Sequence, residues 1–230
     1  MKKLATILGL TAVLAMAATS AFAANQVRIS QVYGGGGGST GTYIYDYVEL
    51  FNSGSTPVNV GGWVVEYGSA TGNWGSAATN YYVLPVGTTI QPCKYLLLQC
   101  GAAGTAGVAF PVAADLSTSN ISASATNGKI GLFTALNANV ACGAEIAGTL
   151  VDKVSWGTAS CPEVAGVSGV NSTSSAVRNN GGMTDTDNNA SDFTVSTTPT
   201  PRNSASPANT ACLATPTVNK TWGSLKSIYR

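Results

Sequence analysis

Apolar and polar residues alternate along residues 46–67, which read DYVELFNSGSTPVNVGGWVVEY. Val48 and Leu50 share one face of the first strand predicted here, and this period of two indicates a strand with two differently solvated faces. Turn-forming residues at 52–57 separate it from further strand-like runs, so the stretch is predicted to be a β-meander. Trp63 is expected to anchor the core, because one Trp can bury roughly 250 Å².

Short runs with strand character recur along the chain between Gly, Pro and Asn residues. They cover residues 27–32, 81–84, 95–99, 129–133, 149–156 and 192–195. This spacing predicts an all-β fold, an antiparallel β-sandwich, formed by one domain over residues 25–205. The run Gly34–Gly38 is predicted to be a flexible loop, since a phosphate-binding loop would need a following Lys-Ser/Thr and a helix.

The N-terminus has the three parts of a secretory signal. Lys2 and Lys3 precede an apolar run at 4–17, and an A-x-A-type cleavage site follows at 21–23. Residues 1–24 are therefore predicted to be a signal peptide of bacterial type, too short to anchor in a bilayer. The mature protein is expected to be secreted, either free outside the cell or associated with its surface.

The C-terminus differs in composition from the predicted domain. Residues 206–220 are rich in Pro, Ser, Thr and Ala and are predicted to be a linker. Residues 221–230 form a basic and apolar tail with three large apolar residues at a spacing suited to one helix face: Trp222, Leu225 and Ile228. Ten residues do not hold a helix alone in water, so the tail is expected either to pack on the domain or to meet a partner.

Charge and composition exclude several functional classes. The chain has no His, which removes His-dependent nucleophile pairs, His-ligated zinc and a His general base. Charged residues make up only 9% of the chain, and residues 25–211 hold six basic against ten acidic side chains, a net charge of −4. Nucleic-acid binding normally needs a basic stripe, which this distribution does not supply. No pair of carboxylates stands out as a glycosidase dyad, so the protein is predicted not to be an enzyme.

Five Cys residues in an exported chain predict disulfide bonds with one thiol left over. Cys142 and Cys161 flank a predicted strand and are the favoured pair. Cys93 and Cys100 bracket an extended run of over ~20 Å, too long for a bond between them. Either of these two is a candidate partner for Cys212. The remaining Cys is expected to be a buried or unpaired thiol, with a bond between chains as the alternative.

Several motifs, in order along the chain, resemble the lamin tail domain. They are ISQVYGGGG at 29–37, DYVELFN at 46–52, Gly62-Trp63, GKIGL at 128–132, Trp156-Gly157-Thr158-Ala159, and DTDNNASDF at 185–193. The closest form of the resemblance is the N-terminal module of secreted bacterial extracellular nucleases, over roughly residues 26–205. It implies an immunoglobulin-like β-sandwich. It does not imply catalysis, because the chemistry of those nucleases belongs to a separate downstream domain that is missing from this sequence.

Asp185, Asp187, Asn189 and Asp192 are the candidate metal ligands. Hard oxygen ligands at alternating positions suit Ca²⁺, which takes 6–8 oxygens. The rest of an EF-hand loop is not present, because Ala190 and Ser196 occupy the positions of its Gly and Glu. The alternative, which the pattern favours, is an Asp/Asn turn whose side chains bond their own backbone and cap the last strand.

Trp74, Tyr43 and Tyr45 are the candidate ligand-binding residues, because exposed aromatic rings stack on sugar faces. The alternative is that such rings fill the core.

The first functional hypothesis is an exported, non-catalytic module that binds or scaffolds at the cell exterior, with an extracellular or cell-surface partner such as a glycan. A carbohydrate-binding module and a nucleic-acid accessory module of a secreted nuclease system are the two alternatives.

Overall fold

A computed structural model describes residues 26–213. The predicted signal peptide, residues 214–220 of the predicted linker and the tail at 221–230 lie outside the described residues. The described strands are β1 Val27–Tyr33, β2 Asp46–Asn52, β3 Val58–Asn59, β4 Val64–Ser69, β5 Tyr81–Val83, β6 Thr89–Ile90, β7 Tyr95–Cys100, β8 Leu116–Ser117, β9 Gly128–Phe133, β10 Leu150–Trp156, β11 Ser175–Arg178 and β12 Phe193–Ser196. Short helical turns occur at Ala78–Asn80, Asn179–Gly182, Asn189–Asp192 and Thr210–Leu213.

Two sheets make up most of the fold. Six strands form one sheet in the order β12-β11-β1-β2-β7-β8, and four form the other in the order β10-β9-β4-β5. Strands β3 and β6 form a separate small pair. Neighbouring strands run antiparallel except β7 and β8, which pair in parallel through Leu98 and Leu116. The predicted antiparallel sandwich is confirmed, although the short strands β8 and β11 were not anticipated.

The main core lies between the two sheets. Its members from the six-stranded sheet include Ile29, Val48, Leu50, Leu96 and Leu98. Its members from the four-stranded sheet include Val65, Ile130, Leu132, Val154 and Trp156. Trp63 only packs against the edge of this core and is partly exposed, so its predicted role as the anchor is wrong. The fully buried tryptophans among the described residues are Trp74 and Trp156.

Strand β2 is buried on both faces, which corrects the prediction of a half-solvated strand. All seven of its residues are buried. Tyr47, on the face turned away from the main core, joins a second cluster with Tyr33, Tyr43 and Leu97, against which Phe110 packs. A strand covered on both sides cannot be recognised from alternation alone, because both sets of residues then have reason to be large and apolar.

The glycine-rich loop is packed rather than flexible. A Cβ atom added at Gly35 would lie 2.0 Å from the carbonyl oxygen of Ser172, and one added at Gly36 would lie 2.0 Å from the carbonyl carbon of Tyr45. These glycines let the loop backbone approach other backbone segments more closely than any side chain permits. Gly34, Gly35 and Gly36 are therefore a packed part of the connection between β1 and β2, whereas Gly37 and Gly38 are exposed.

The C-terminal part of the described chain is fixed to the sandwich. Cys93 and Cys212 form a disulfide with a Cα–Cα distance of 5.5 Å, which resolves the open choice of partner for Cys212. Residues 206–213, predicted to begin a linker, pack against the domain, and Lys94 Nζ donates to the carbonyl oxygen of Ser206 at 2.6 Å. Cys100 is the free thiol among the described residues and is buried.

We expect Gly36→Ala to destabilise the protein by about 1–3 kcal/mol, the usual range for overpacking, because the new methyl group would collide with backbone. Gly38 is a matched control in the same run, since a Cβ there meets nothing closer than 3.9 Å. Urea denaturation measures both variants. Equal stabilities for Gly36→Ala and Gly38→Ala would contradict a packed loop.

Candidate functional site

The outer face of the six-stranded sheet carries an open groove over β1, β11 and β12. Its volume is about 590 Å³. Most of the lining side chains are neutral hydroxyls and amides: Gln31, Asn179, Asn180, Thr194, Ser196, Thr198 and Thr200. We call this the polar groove. Its neutral donors and acceptors suit hydrogen bonds to an uncharged polar ligand.

The floor of the polar groove is held rigidly by the strand register. Gln31 of β1, Val177 of β11 and Thr194 of β12 lie in one row across three strands. Gln31 is 1% exposed, and its Nε2 donates to the carbonyl oxygen of Thr200 at 3.2 Å. The wall formed by residues 198–200 is thereby tied to the floor.

A second groove, of about 620 Å³, adjoins the first. Its walls include the mostly apolar side chains of Tyr95, Pro111, Val112, Pro201, Pro207 and Ala208. We call this the apolar groove. Both grooves are lined by Asn180, Gly181, Thr200 and Arg202, so these four residues form the ridge between them.

Arg202 fixes this ridge through a buried ion pair with Glu49. Arg202 Nη2 donates to Glu49 Oε1 at 2.7 Å, and the backbone N–H of Arg202 donates to Oε2 at 2.7 Å. The guanidinium lies over the ring of Tyr95, 3.8 Å from its centroid. Glu49 is completely buried. The chain after β12 covers this carboxylate on the outer face of the six-stranded sheet.

Arg178 makes the corresponding pair with Asp152 at one end of the main core. Arg178 Nη2 donates to both carboxylate oxygens of Asp152, at 2.8 and 2.7 Å. Arg178 Nε donates to the carbonyl oxygen of Ile29, and the N–H of Ile29 donates to Asp152 Oδ2. Asp152 belongs to β10 of one sheet and Arg178 to β11 of the other, so this pair joins the two sheets.

The four candidate metal ligands do not converge on one point. Asp185 faces Arg28, at 3.0 Å, and Arg178, at 2.9 Å. Asp187 is exposed and has a positive φ of 55°. The side chain of Asn189 is buried and its Oδ1 accepts from the backbone N–H of Ser155. The oxygens of Asp185 and Asn189 already have partners of their own and Asp187 is exposed, so the structure does not bring together the ligand set that the sequence suggested.

Asp192 matches the alternative interpretation, a turn that caps the last strand. Its Oδ2 accepts from the backbone N–H of Thr186 at 2.8 Å and of Asn188 at 3.2 Å, and its Oδ1 accepts from the hydroxyl of Thr186 at 2.7 Å. These hydrogen bonds hold the pKa of Asp192 below its usual value although the side chain is buried. The carboxylate organises its own loop immediately before β12.

A different set of carboxylates does come together beside this loop. Oxygens of Asp152, Glu163 and Asp185 lie within 4.8 Å of one another. Burial, together with the neighbouring charge of Asp152, raises the pKa of Glu163 to about 8. Arg178 bonds to two of the three carboxylates and so supplies the positive charge that such a cluster requires.

The candidate aromatic residues do not form a sugar-stacking surface. Trp74 is 0% exposed and Tyr43 is 7% exposed. Tyr45 is partly exposed, and its ring centroid lies 6.3 Å from that of Phe110. Tyr43 belongs to the second cluster, where its hydroxyl donates to the carbonyl oxygen of Pro199 at 2.7 Å. The expectation that Trp74 and Tyr43 are available to a ligand is therefore wrong.

Trp74 instead completes the cover on the outer face of the four-stranded sheet. Its ring meets Phe133 edge-on, with centroids 5.4 Å apart, and Lys129 Nζ lies 5.4 Å from its centroid. Its indole N–H donates to Glu145 Oε1 at 2.7 Å. Cys142 and Cys161, the favoured disulfide pair, are bonded beside it with a Cα–Cα distance of 5.7 Å. The polar sequence around Trp74 gives no sign that its ring is buried, because Phe133 and Glu145, which contact it, come from distant segments.

Comparison with known proteins agrees with the sandwich and its loops. The family model of the lamin tail domain matches residues 20–158, more than half of the chain. The chain belongs to the lamin tail domain family. This family is a non-catalytic, immunoglobulin-like domain family, which identifies the sandwich as immunoglobulin-like. A search of curated proteins found no match to the chain.

The sandwich of this lamin tail domain extends beyond the matched residues. Residue 158 is followed by strands β11 and β12 and by Arg178 and Arg202. The two arginines are the cations of the two ion pairs, and residues after 158 form part of the lining of both grooves. Among residues 26–213, no helix has the length and apolar character needed to cross a membrane.

Arg178 and Arg202 are the residues that sequence reasoning missed in this lamin tail domain. Each is an isolated Arg in a chain with few charges, and that scarcity is the signal that they have specific partners. Asp152 lies 26 residues from Arg178, and Glu49 lies 153 residues from Arg202, so no local sequence pattern predicts these pairs.

We expect Arg178→Met to lower the free energy of unfolding by about 3–5 kcal/mol, because it leaves Asp152 buried without its counter-ion. Arg28→Met is the matched control: Arg28 is partly exposed, and its loss should cost at most about 1 kcal/mol. Adding Asp152→Leu to Arg178→Met should recover part of the loss, since the unpaired charge is then removed. Denaturant unfolding decides the matter, and equal losses for the two single variants would contradict a special role of Arg178.

Asp46 is expected to make the domain less stable as the pH rises. Burial raises its pKa to about 7, although the N–H groups of Gly36 and Ala123 donate to its carboxylate. Because this pKa lies above the unfolded value of about 3.9, its stabilising effect is complete below about pH 4 and is lost as the pH rises through 7. The effect amounts to at most about 1.4 kcal/mol per pH unit.

The variant Asp46→Asn isolates that group. Its free energy of unfolding, relative to the unaltered protein, should increase between about pH 5 and about pH 8. A difference that stays constant over this range would show that Asp46 ionises in the folded state as it does in the unfolded chain.

Proposed function

We propose that this lamin tail domain protein is an exported, non-catalytic module that binds a partner at the cell exterior. The observation that carries the proposal is the polar groove. Strand β2 is buried on both faces, whereas Thr194, Thr198 and Thr200 in the lining of the polar groove are exposed. A preformed groove on rigid strands is the usual form of a binding site.

An extracellular location is supported by two independent features. The N-terminal sequence has the form of a signal peptide. The two disulfides, Cys93–Cys212 and Cys142–Cys161, are the kind of bond that persists in an oxidising compartment.

The carbohydrate-binding alternative loses its original basis. Sugar recognition by stacking needs an exposed ring, and Trp74 and Tyr43 are buried. What remains for a glycan is hydrogen bonding by hydroxyl and amide groups, which the polar groove supplies. A glycan therefore stays a candidate ligand of the same groove, through hydrogen bonds rather than ring stacking.

The role as a nuclease accessory module has less support. Three of the six basic residues between 26 and 213, Arg28, Arg178 and Arg202, pair with carboxylates. Lys129 is buried and donates to three oxygen atoms. Few cationic groups are left to contact phosphates, so binding to nucleic acid is disfavoured.

We expect Thr194→Arg together with Thr198→Arg to abolish retention of the purified mature protein on the surface of the producing cells. Both side chains are exposed and line the polar groove, and two arginines would fill it. Thr71→Arg with Val86→Arg adds the same charge at exposed positions outside the groove lining and should leave retention unchanged.

Retention is measured by quantifying labelled protein on washed cells, with melting curves to confirm that both double variants fold. Equal retention of the two would exclude the polar groove as the binding surface. No retention of the unaltered protein would argue against binding at the cell exterior altogether.

A further inference from the structure

We propose that the apolar groove is the docking site for the chain's own C-terminal residues, 221–230. This inference goes beyond the proposed function, which concerns the polar groove. The groove is lined by mostly apolar side chains, and after the predicted signal peptide the sequence offers one segment outside the described residues with large apolar residues at regular spacing. Those residues are Trp222, Leu225 and Ile228.

The path of the chain places this segment beside the groove. Thr210 and Ala211 themselves line the apolar groove, and the next residue, Cys212, is bonded to Cys93. The disulfide fixes the point from which the last residues leave the domain. From Leu213, the nine residues to Trp222 span up to ~30 Å when extended, enough to return over the groove.

Tethering makes such docking favourable even when each contact is weak. A short tether gives an effective concentration in the millimolar range, so a segment with modest intrinsic affinity is mostly bound. Trp222 alone can bury roughly 250 Å² of surface. A ten-residue helix does not persist in water, and an apolar surface of this kind supplies the packing that it lacks.

Charge favours the same arrangement. Residues 214–230 carry Lys220, Lys226 and Arg230 and no acidic side chain, whereas the described residues carry six basic and ten acidic side chains. The net charges of the tail and of the domain are therefore opposite, which favours keeping the tail near the domain, while the charged residue in the groove lining is Arg202, whose charge is balanced by Glu49.

Limited trypsin digestion of the folded mature protein tests the proposal. All proteins carry Lys220→Gln so that trypsin cannot cut the tether, and intact-mass spectrometry follows only the loss of residues 227–230, which cleavage after Lys226 releases. A docked tail should be cut at least about tenfold more slowly than a released one, which corresponds to about 1.4 kcal/mol of docking free energy.

Two variants should each remove the protection. Ala208→Arg fills the apolar groove from the domain side, and Trp222→Ser removes the largest apolar side chain of the tail. Both should accelerate cleavage to a similar rate. Val86→Arg, which adds the same charge at a position that is 97% exposed and outside the groove lining, should not. Melting curves check that the domain of Ala208→Arg is folded, and Trp222→Ser leaves the domain unaltered.

Three results would overturn the proposal. Equal cleavage rates in all four proteins would mean that the tail is not docked. Rapid cleavage of Trp222→Ser with unchanged slow cleavage of Ala208→Arg would place the tail on another surface. Protection that grows between about 1 and about 50 µM protein would mean that the tail binds a second copy rather than its own domain, since tethered docking does not depend on concentration.

Discussion

The ion pair of Arg178 and Asp152 is the contact on which this sandwich depends. Strand β1 has a register shift between Ile29 and Gln31, and the N–H and C=O groups of Ile29 bond to these two side chains. The pair therefore serves as a substitute for strand pairing and joins the two sheets. Removing two charges from water costs several kcal/mol each, and only complete hydrogen bonding makes such a burial tolerable.

The same guanidinium determines the shape of the acidic loop. Arg178 Nη1 also donates to Asp185 and to the carbonyl oxygen of Thr184. These two hydrogen bonds hold the start of the loop in place. The loop then closes on Asp192, which accepts the N–H groups of Thr186 and Asn188. Of the calcium-like residues, Asp185 and Asp192 lie within 4 Å of the Arg178 guanidinium, so part of the pattern is explained by a side-chain cation rather than by a metal ion.

The main strands were predictable because short runs with strand character lie between Gly, Pro and Asn residues, as around Val48, Ile130 and Val154. The family resemblance and the Cys142–Cys161 pair also followed from the sequence, the latter from its position around a strand. Strand β11 was missed because its four residues, SAVR, hold one aliphatic pair and end in an Arg that faces inward. The sequence does not show that this Arg faces inward, because the carboxylate that pairs with it, Asp152, is distant in sequence.

The candidate site was less predictable than the fold, for a related reason. Exposure of an aromatic ring is decided by which segments return to cover it, and Trp74 is covered by residues 133–145. The grooves likewise arise from the chain after β12, whose Pro/Ser/Thr composition resembles that of a linker. The pairing of Arg202 with Glu49, the hydrogen bond of Lys94 to Ser206 and the disulfide at Cys212 show that this segment is part of the domain.

Charge placement also decides what kind of recognition this domain can perform. Only 9% of the residues in the chain are charged, and three of its arginines, Arg28, Arg178 and Arg202, form ion pairs with carboxylates of the same domain. The lining of the polar groove is left with mostly hydroxyl and amide groups, whose interactions act only at contact distance. Long-range steering and strong salt dependence require clustered charge. Recognition by this domain must therefore rest on the shape and hydrogen bonding of preformed grooves, which is why the rigid ridge at Arg202, held by a buried ion pair, matters to both of them.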